Sequence, residues 1–197
     1  EMLVEISRYY ASRGEWSPVT GEYGLWGVMG ADEFHMMVHN NAYTNVMTAW
    51  VLQRAADVLD LLPPLRRAEL IETLGVTEEE LAEWAEIAHK LKIPFHDDGI
   101  ISQFEGYGDL QEFDWVGYTE RYGDIHRLDR ILEAEDDSAN NYKVSKQADV
   151  LMLFYLLSAE ELHSLFEQLG YELDEDAIQR NISYYESRTS HGSTLSR

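Results

Sequence analysis

The segment Ala42–Leu62 constrains the fold most strongly, because it is apolar on nearly every side. A helix that is apolar all round cannot lie on a protein surface and has to be covered by other elements. Pro63 and Pro64 follow directly. Proline removes a backbone donor and disfavours helical geometry in the residue before it. The sequence therefore predicts a long buried helix that ends at the proline pair.

Helical patterns also dominate the rest of the chain. Thr77 and Ser158 each stand three residues before a glutamate at the head of an amphipathic run, which is the pattern of a capping box. Gly170 is a typical helix stop. Further helices are predicted over Met2–Ser12, Tyr142–Leu157 and Asp174–Glu186. We predict an all-α fold of helix pairs, with at least seven helices and no convincing hairpin.

Two long irregular stretches, Ser17–Asn41 and Pro94–Asp114, lie between the helical segments and are rich in Gly, His, Trp and acidic residues. Loops of this length without secondary structure of their own are often functional. These two loops are therefore the places where we expect a functional site.

Charge and composition exclude several classes of partner. The 197 residues include 15 basic and 37 acidic side chains, a formal charge of -22 that repels nucleic acid and anionic membranes. The longest apolar run, Val150–Leu157, is too short to span a bilayer. No targeting segment is recognised and there is no cysteine, so we expect a cytoplasmic protein with no nucleic-acid or membrane partner.

Glu33 is the first candidate for chemistry. Its apolar neighbours could desolvate the carboxyl and raise its pKa, so that it would hold a proton near neutral pH as a general acid must. These neighbours are Met29, Phe34 and Met36. An equally weighted alternative is that Asp32, Asn40 and Asn41 only cap and turn the chain into the buried helix.

His35 and His39 are four residues apart and on a helix would share one face, as zinc ligands do. The intervening residues lack the general-base glutamate of a zincin motif, and no third ligand is indicated. We favour two hydrogen-bonded loop histidines and predict no metal site.

Lys146 and Gln147 stand beside Asp149 on the polar shoulder of an apolar segment. Lysine and glutamine supply donors and an acceptor that could bind sugar hydroxyls, and Asp149 could orient the lysine. On residue types alone, a solvated helix face with a weak ion pair explains the pattern better.

Residues 188–197 concentrate hydroxyl groups, an imidazole, a glycine and two arginines in an otherwise acidic chain. These are the components of an oxyanion or phosphate site. A flexible Ser/Thr tail explains the same composition equally well.

Taken together, these motifs resemble glycoside hydrolase family 65, which contains the maltose, trehalose, kojibiose and nigerose phosphorylases. The resemblance rests on residues 32–35 with 40–45, residues 146–150 and residues 188–193, and the stretch Gly99–Tyr107 is also similar to the family's pattern. His39 and Ala31 depart from it, which leaves the acceptor sugar unassigned.

The resemblance implies that residues 1–197 are the C-terminal portion of an (α/α)6-barrel catalytic domain, in a fragment without the family's N-terminal β-sandwich. On this basis Glu33 is the general acid, and Lys146 and Gln147 hold the glucose. Ser190, His191, Gly192 and Ser193 hold phosphate. The family is expected to use no metal and no organic cofactor.

The implied activity is inverting phosphorolysis of an α-linked glucose disaccharide to β-glucose 1-phosphate and a sugar, with inorganic phosphate as co-substrate. An acid-trehalase-like hydrolase is the alternative, and its second carboxylate would come from Asp97, Asp98, Glu105 or Glu186. A non-catalytic acidic helical module that binds a protein is the second alternative. A homodimer is compatible with the full-length protein, whose oligomeric state the sequence leaves open.

Overall fold

The computed structural model describes residues 1–97 and 99–192. Within these residues the chain forms nine α-helices: α1 (Met2–Arg13), α2 (Ala42–Leu61), α3 (Pro64–Leu74), α4 (Glu78–Lys90), α5 (Trp115–Tyr122), α6 (Leu128–Ala134), α7 (Asp149–Leu156), α8 (Ala159–Gln168) and α9 (Ala177–Glu186). Two antiparallel pairs join β1 (Glu15–Trp16) to β2 (Tyr23–Gly24) and β3 (Phe95–His96) to β4 (Ile100–Ile101). The predicted all-α class is confirmed.

Helix α2 is the centre of the core. Val46 and Ala49 are fully buried and Leu52 is 1% exposed, and α1, α4, α7 and α8 all contact this helix. Leu62 and Pro63 are extended, and Pro64 opens α3. Proline is tolerated in the first turn of a helix, where its missing N–H would have no partner. The proline pair therefore ends one helix, as predicted, and begins the next.

Both predicted hydroxyl caps are confirmed. The Thr77 side chain accepts a hydrogen bond from Glu80 N, and the Ser158 side chain accepts one from Glu161 N, each over 3.2 Å. The two glutamates have a further role, because Glu80 pairs with Arg8 of α1 over 2.6 Å and Glu161 with Arg54 of α2 over 2.5 Å. The same residues thus begin α4 and α8 and attach them to the neighbouring helices.

Three predictions are wrong in detail. Helix α7 begins at Asp149 rather than Tyr142, because Ser145 forms a parallel bridge to Thr189 and is held outside the helix. Helix α9 begins at Ala177 rather than Asp174. A hairpin does occur, where Phe95 pairs with Ile101. Extended segments of one or two residues are too short to show a hydrophobic period, so they cannot be predicted from the sequence pattern.

A second, smaller hydrophobic cluster lies beside the main core. Its buried members include Phe34, Phe113, Leu128 and Val144, and Trp115, Tyr118 and Tyr142 pack against them. Phe34 follows Glu33, and Val144 lies two residues before Lys146. The cluster therefore holds together the two chain segments that carry the first candidate residues.

None of the helices in residues 1–97 and 99–192 combines the length and the apolar character needed to cross a membrane.

Replacing Ser158 by Ala should lower the free energy of unfolding by about 1 kcal/mol, because the Glu161 N–H loses its capping acceptor. Chemical denaturation measures this change. Ser164→Ala, at an exposed position inside the same helix, is the matched control and should shift stability by about 0.5 kcal/mol or less. Equal effects of the two substitutions would contradict the capping role of Ser158.

Candidate active site

Glu33, Lys146 and Gln147 meet in the structure although more than 110 residues of chain separate them. Lys146 Nζ donates to Glu33 Oε2 over 2.5 Å, and Gln147 Nε2 donates to Glu33 Oε1 over 2.7 Å. The Glu33 N–H in turn lies 3.4 Å from Gln147 Oε1. One carboxyl group therefore receives a cationic donor and an amide donor, one on each oxygen.

The predicted desolvation of Glu33 is wrong for this free site. The Glu33 side chain is 53% exposed, and its neighbours Met29 and Met36 are both 63% exposed. Hydrogen bonds from Lys146 and then Gln147 lower the pKa of Glu33. The apolar residues next to it in sequence do not cover it, because Phe34 turns into the second cluster and the two methionines face outward. Glu33 is thus held as a carboxylate.

Asp32 lies directly beneath this pair and is 2% exposed. Its Oδ1 accepts from Lys146 N over 3.0 Å and from Phe34 N over 3.1 Å, and its Oδ2 accepts from Gln103 Nε2 over 2.8 Å. Burial raises the pKa of Asp32, and these hydrogen bonds act in the opposite direction. The sequence offered Asp32 only as a capping residue, whereas it joins the two halves of the site.

Asn41 and Asp149 form a second buried contact behind Asp32. Asn41 Oδ1 caps α2 by accepting from Thr44 N over 2.9 Å, as predicted, while its Nδ2 donates to Asp149 Oδ2 over 2.8 Å. Asp149 is fully buried, and burial raises its pKa to about 7. A Cβ at Gly30 would overlap Asp149 Oδ2, so the chain passes this carboxyl too closely for any side chain.

Asp149 and the two histidines form contacts of different kinds. Asp149 does not orient Lys146, since it contacts Asn41 in the interior and Lys146 pairs with Glu33. His35 Nε2 lies 2.9 Å from Val144 O, while His39 Nδ1 accepts from Gly27 N over 3.1 Å. Both lie in a loop rather than on a helix, so the interpretation as hydrogen-bonded loop histidines is confirmed.

The described part of the predicted phosphate segment runs alongside the segment that carries Lys146. Ser190 N donates to Ser145 O, and Ser145 N donates to Arg188 O, both over 2.9 Å. Ser190 is 5% exposed, and its Oγ has no hydrogen-bond partner within the described residues. A Cβ at Gly192 would overlap His126 O. Ser193 lies outside the described residues.

Arg188 contacts residues outside this segment. Its guanidinium pairs with Glu112 over 3.1 Å and lies 3.9 Å from the centre of the Tyr184 ring. The composition of residues 188–197 suggested that arginine would help to hold an anion. In the free chain the charge of Arg188 is paired with Glu112, and its role in anion binding stays a prediction.

The second carboxylate needed by a hydrolase was expected among four residues, and their surroundings differ. Glu105 accepts from Asn40 over 2.7 Å and pairs with Lys92, and Asp97 lies 3.9 Å from the imidazole of His96. Glu186 is exposed at the end of α9, and Asp98 lies outside the described residues.

Asp129 of α6 is the carboxylate whose charge acts on Glu33, and the sequence did not single it out. Its charge raises the pKa of Glu33 in opposition to the stronger effect of Lys146. Burial opposes the ionised form of Asp129, but Arg127 and, more weakly, Lys146 lower its pKa overall. Gln103, by contrast, lay within the stretch Gly99–Tyr107 that had a recognisable pattern, and that pattern is the signal that could have found it.

Comparison with known proteins gives a consistent family match. The family model described as "Glycosyl hydrolase family 65 central catalytic domain" matches residues 1–197. An uncharacterized glycosyl hydrolase of Mycobacterium tuberculosis is 52% identical over 100% of this chain and 15% of its own length. The trehalose 6-phosphate phosphorylase of Lactococcus lactis is 35% identical over 100% of this chain and 25% of its own.

Further relatives agree. The kojibiose phosphorylase of Halothermothrix orenii is 35% identical over 100% of this chain and 24% of its own length. A solved structure from the human microbiome with a provisional assignment as a kojibiose phosphorylase superposes with a TM-score of 0.73 at 28% identity, over 99% of this chain and 25% of the other. The chain thus spans a quarter or less of the length of these relatives.

Replacing Asp149 by Asn should flatten the dependence of stability on pH. The folded pKa of Asp149 is about 7 and the unfolded value about 3.9, so the folded state binds the extra proton between them. Stability from this group is complete below about pH 4 and is lost as the pH rises through about 7, at about 1.4 kcal/mol per pKa unit.

Denaturant unfolding of the wild type and the Asp149→Asn variant at pH 5 and pH 8 measures this effect, and subtracting the two curves removes the contributions of groups that titrate alike in both proteins. Asp60→Asn, at a side chain that is 76% exposed, is the control. A stability difference between variant and wild type that stays constant from pH 5 to pH 8 would refute the assignment of the raised pKa to Asp149.

Proposed function

The chain belongs to glycosyl hydrolase family 65, and on that premise we propose that its protein catalyses inverting phosphorolysis of an α-linked glucose disaccharide. The products would be β-glucose 1-phosphate and a released sugar. The observation that carries the proposal is the position of the phosphate segment, whose Ser190 lies against Ser145, next to the lysine that contacts Glu33. The phosphorylase names among the relatives support it.

In the proposed reaction each group has a separate task. Phosphate attacks the anomeric carbon of glucose, the bond from that carbon to the leaving oxygen breaks, and Glu33 gives its proton to that oxygen. Lys146 and Gln147 bind glucose hydroxyls, and Ser190, His191, Gly192 and Ser193 hold the phosphate. An inverting hydrolase needs a second carboxylate to activate water, whereas a phosphate dianion attacks unaided.

Glu33 is ionised in the free site, so the proposed reaction requires that it first takes up a proton. A general acid must be protonated, but Lys146 and Gln147 lower the pKa of Glu33. Sugar hydroxyls would compete for those two donors, since a lysine or amide N–H that turns to a hydroxyl leaves the carboxylate. Glu33 would then lose its stabilising partners, its pKa would rise, and it would take up a proton when the sugar binds.

Hydrolysis is the second candidate, and the charge of Asp129 near Glu33 is the observation that favours it. Asp129 would then activate a water molecule on the face of the sugar opposite Glu33. A non-catalytic acidic interaction module has no comparable observation in its favour. We propose phosphate as co-substrate and no metal or organic cofactor, and the cytoplasmic location stays a prediction.

Glu33→Gln in the full-length enzyme should reduce turnover at least a hundredfold, because glutamine cannot donate the proton. Sugar release is measured from maltose, trehalose and kojibiose with and without phosphate. Glu69→Gln is the matched control, since Glu69 is an exposed glutamate that pairs with Arg66 on α3 and should be dispensable.

Each arm of this assay decides one question. Wild-type activity that depends on phosphate and yields glucose 1-phosphate is expected. Release of glucose without phosphate would replace phosphorolysis by hydrolysis, and unchanged turnover in Glu33→Gln would remove Glu33 from the role of general acid.

Binding of the disaccharide in the absence of phosphate should be accompanied by proton uptake at about pH 4.5, close to the normal pKa of a glutamate carboxyl, where a carboxyl freed from its donors is about half protonated. Isothermal titration calorimetry in buffers of different ionisation enthalpy counts the protons. The Glu33→Gln variant should show no uptake, because it lacks the group. Proton release, or the same uptake in both proteins, would contradict the competition for Lys146 and Gln147.

A further inference from the structure

We propose that Asp32 is a positioning residue for the reaction: as a buried acceptor it fixes the backbone at Lys146 and Gln147 and, through their side chains, the carboxyl of Glu33. The inference rests on the proposed role of Glu33 as the acid. It applies equally to phosphorolysis and to hydrolysis, because an acid is needed in both.

The geometry places Asp32 between the two segments that form the site. Its Oδ1 accepts from Phe34 N on its own segment and from Lys146 N on the other, over 3.1 and 3.0 Å. Gln147 N lies 3.5 Å from the same oxygen. Glu33, which follows Asp32 on the first segment, receives hydrogen bonds from the Lys146 and Gln147 side chains of the second segment. A shift of Asp32 would therefore displace both partners of the ion pair.

Asp32 cannot act on a sugar directly. It is 2% exposed, so its oxygens are out of reach of a sugar in solution. A buried carboxylate is costly unless its oxygens are hydrogen-bonded, so its retention here has to be explained by the donors it collects. These donors are three backbone N–H groups, of which that of Gln147 is the most distant, and the Gln103 amide, and no Lys or Arg side chain contacts Asp32 within the described residues.

Gln103 holds Asp32 from the other side. Its Nε2 donates to Asp32 Oδ2 over 2.8 Å, and its own backbone O accepts from Ala42 N, over 2.9 Å, and from Asn41 Nδ2, over 3.0 Å. These last two residues begin the buried helix α2. The carboxyl of Asp32 is thereby connected to the central helix of the core, which gives it the rigid support that a positioning residue requires.

An asparagine at position 32 can keep this arrangement without the charge. Its Oδ1 would accept from Phe34 N and Lys146 N as before, while its Nδ2 would face Gln103. Gln103 Oε1 has no partner in the described structure, so a half-turn of the amide would present it to the new donor. Alanine at position 32 removes every acceptor. The two variants therefore separate hydrogen-bonded positioning from charge.

The test measures kcat and KM of Asp32→Asn and Asp32→Ala in the full-length enzyme, together with thermal unfolding. We expect kcat/KM of the asparagine variant within about fivefold of the wild type. The alanine variant should lose about a hundredfold, the scale of loss when catalytic groups are misplaced by about 1 Å. If the alanine variant does not fold, Asp32→Ser carries the same expectation, because its hydroxyl is too short to reach Lys146 N.

Asn181→Ala is the matched control for general destabilisation. Asn181 is fully buried and accepts from Ile101 N over 2.9 Å, but it has no contact with Glu33, Lys146 or Gln147 in the described structure. We expect it to lower the unfolding temperature as Asp32→Ala does and to leave kcat/KM within about fivefold of the wild type.

Three results would overturn the proposal: wild-type kcat/KM in Asp32→Ala, an equal loss in the asparagine and alanine variants, or an equal loss in Asn181→Ala. A failure of the proposed function is recognised by other measurements, namely the phosphate dependence of the wild type and the turnover of Glu33→Gln. Activity without phosphate changes the reaction but not the comparison among Asp32 variants, and unchanged turnover in Glu33→Gln removes the acid on which the inference rests.

Discussion

The burial of most of α2, from Ala42 to Ala55, is the constraint on which the rest of the structure depends, although its last turn is exposed at Val58 and Leu61. A helix buried over most of its length has to be surrounded, and α1, α4, α7 and α8 contact it. Its first residues extend this order into the site, because Asn41 contacts Asp149 and Ala42 N holds the backbone of Gln103. The core and the candidate site are thus one hydrogen-bonded structure, and loss of packing around α2 would also disturb the groups beneath Glu33.

Three carboxyl groups within this small region have different environments. Glu33 is half exposed and receives a cationic donor, so its pKa is lowered, whereas Asp32 and Asp149 are buried and their pKa values are raised. Burial disfavours the charged form, and a nearby cation favours it. This arrangement suits a reaction that needs a solvent-accessible acid on a rigid support. Glu33 can change its protonation state, while Asp32 and Asp149 remain buried and hydrogen-bonded.

The sequence predicted the helical class, the buried helix and both hydroxyl caps, because periodicity and capping are local properties. It also predicted that Glu33, Lys146 and Gln147 belong together, through resemblance rather than spacing. It could not predict the environment of Glu33. Whether Phe34 covers or leaves its neighbour depends on the second cluster, which Phe113, Leu128 and Val144 complete from distant parts of the chain.

The roles of Asp32 and Asp129 could not be predicted from the sequence, because they depend on contacts between distant parts of the chain. Aspartate next to a turn is a common capping pattern, and nothing within a few residues of Asp32 indicates that its oxygens accept from Lys146 N and Gln103 Nε2. Contacts over 70 residues and more are set by tertiary packing, which a single sequence does not display. The start of α7 was misplaced likewise, because the bridge from Ser145 to Thr189 competes with an apolar pattern that favours helix.

The acidity of the chain makes anion binding the most demanding part of the proposed mechanism, and the contacts of Lys146 suggest how it is met. Arg188 and Lys143 both pair with Glu112, whereas Lys146 directly follows Ser145, whose backbone is bonded to the phosphate segment. In the free site the charge of Lys146 is offset by the Glu33 carboxylate. On the proposed mechanism, protonation of Glu33 removes the offset and leaves the ammonium group of Lys146 unneutralised beside the position of the phosphate. Protonation of Glu33 would then have two effects: it prepares the general acid, and it strengthens the attraction of Lys146 for phosphate. The second effect matters in a chain whose formal charge of -22 repels anions.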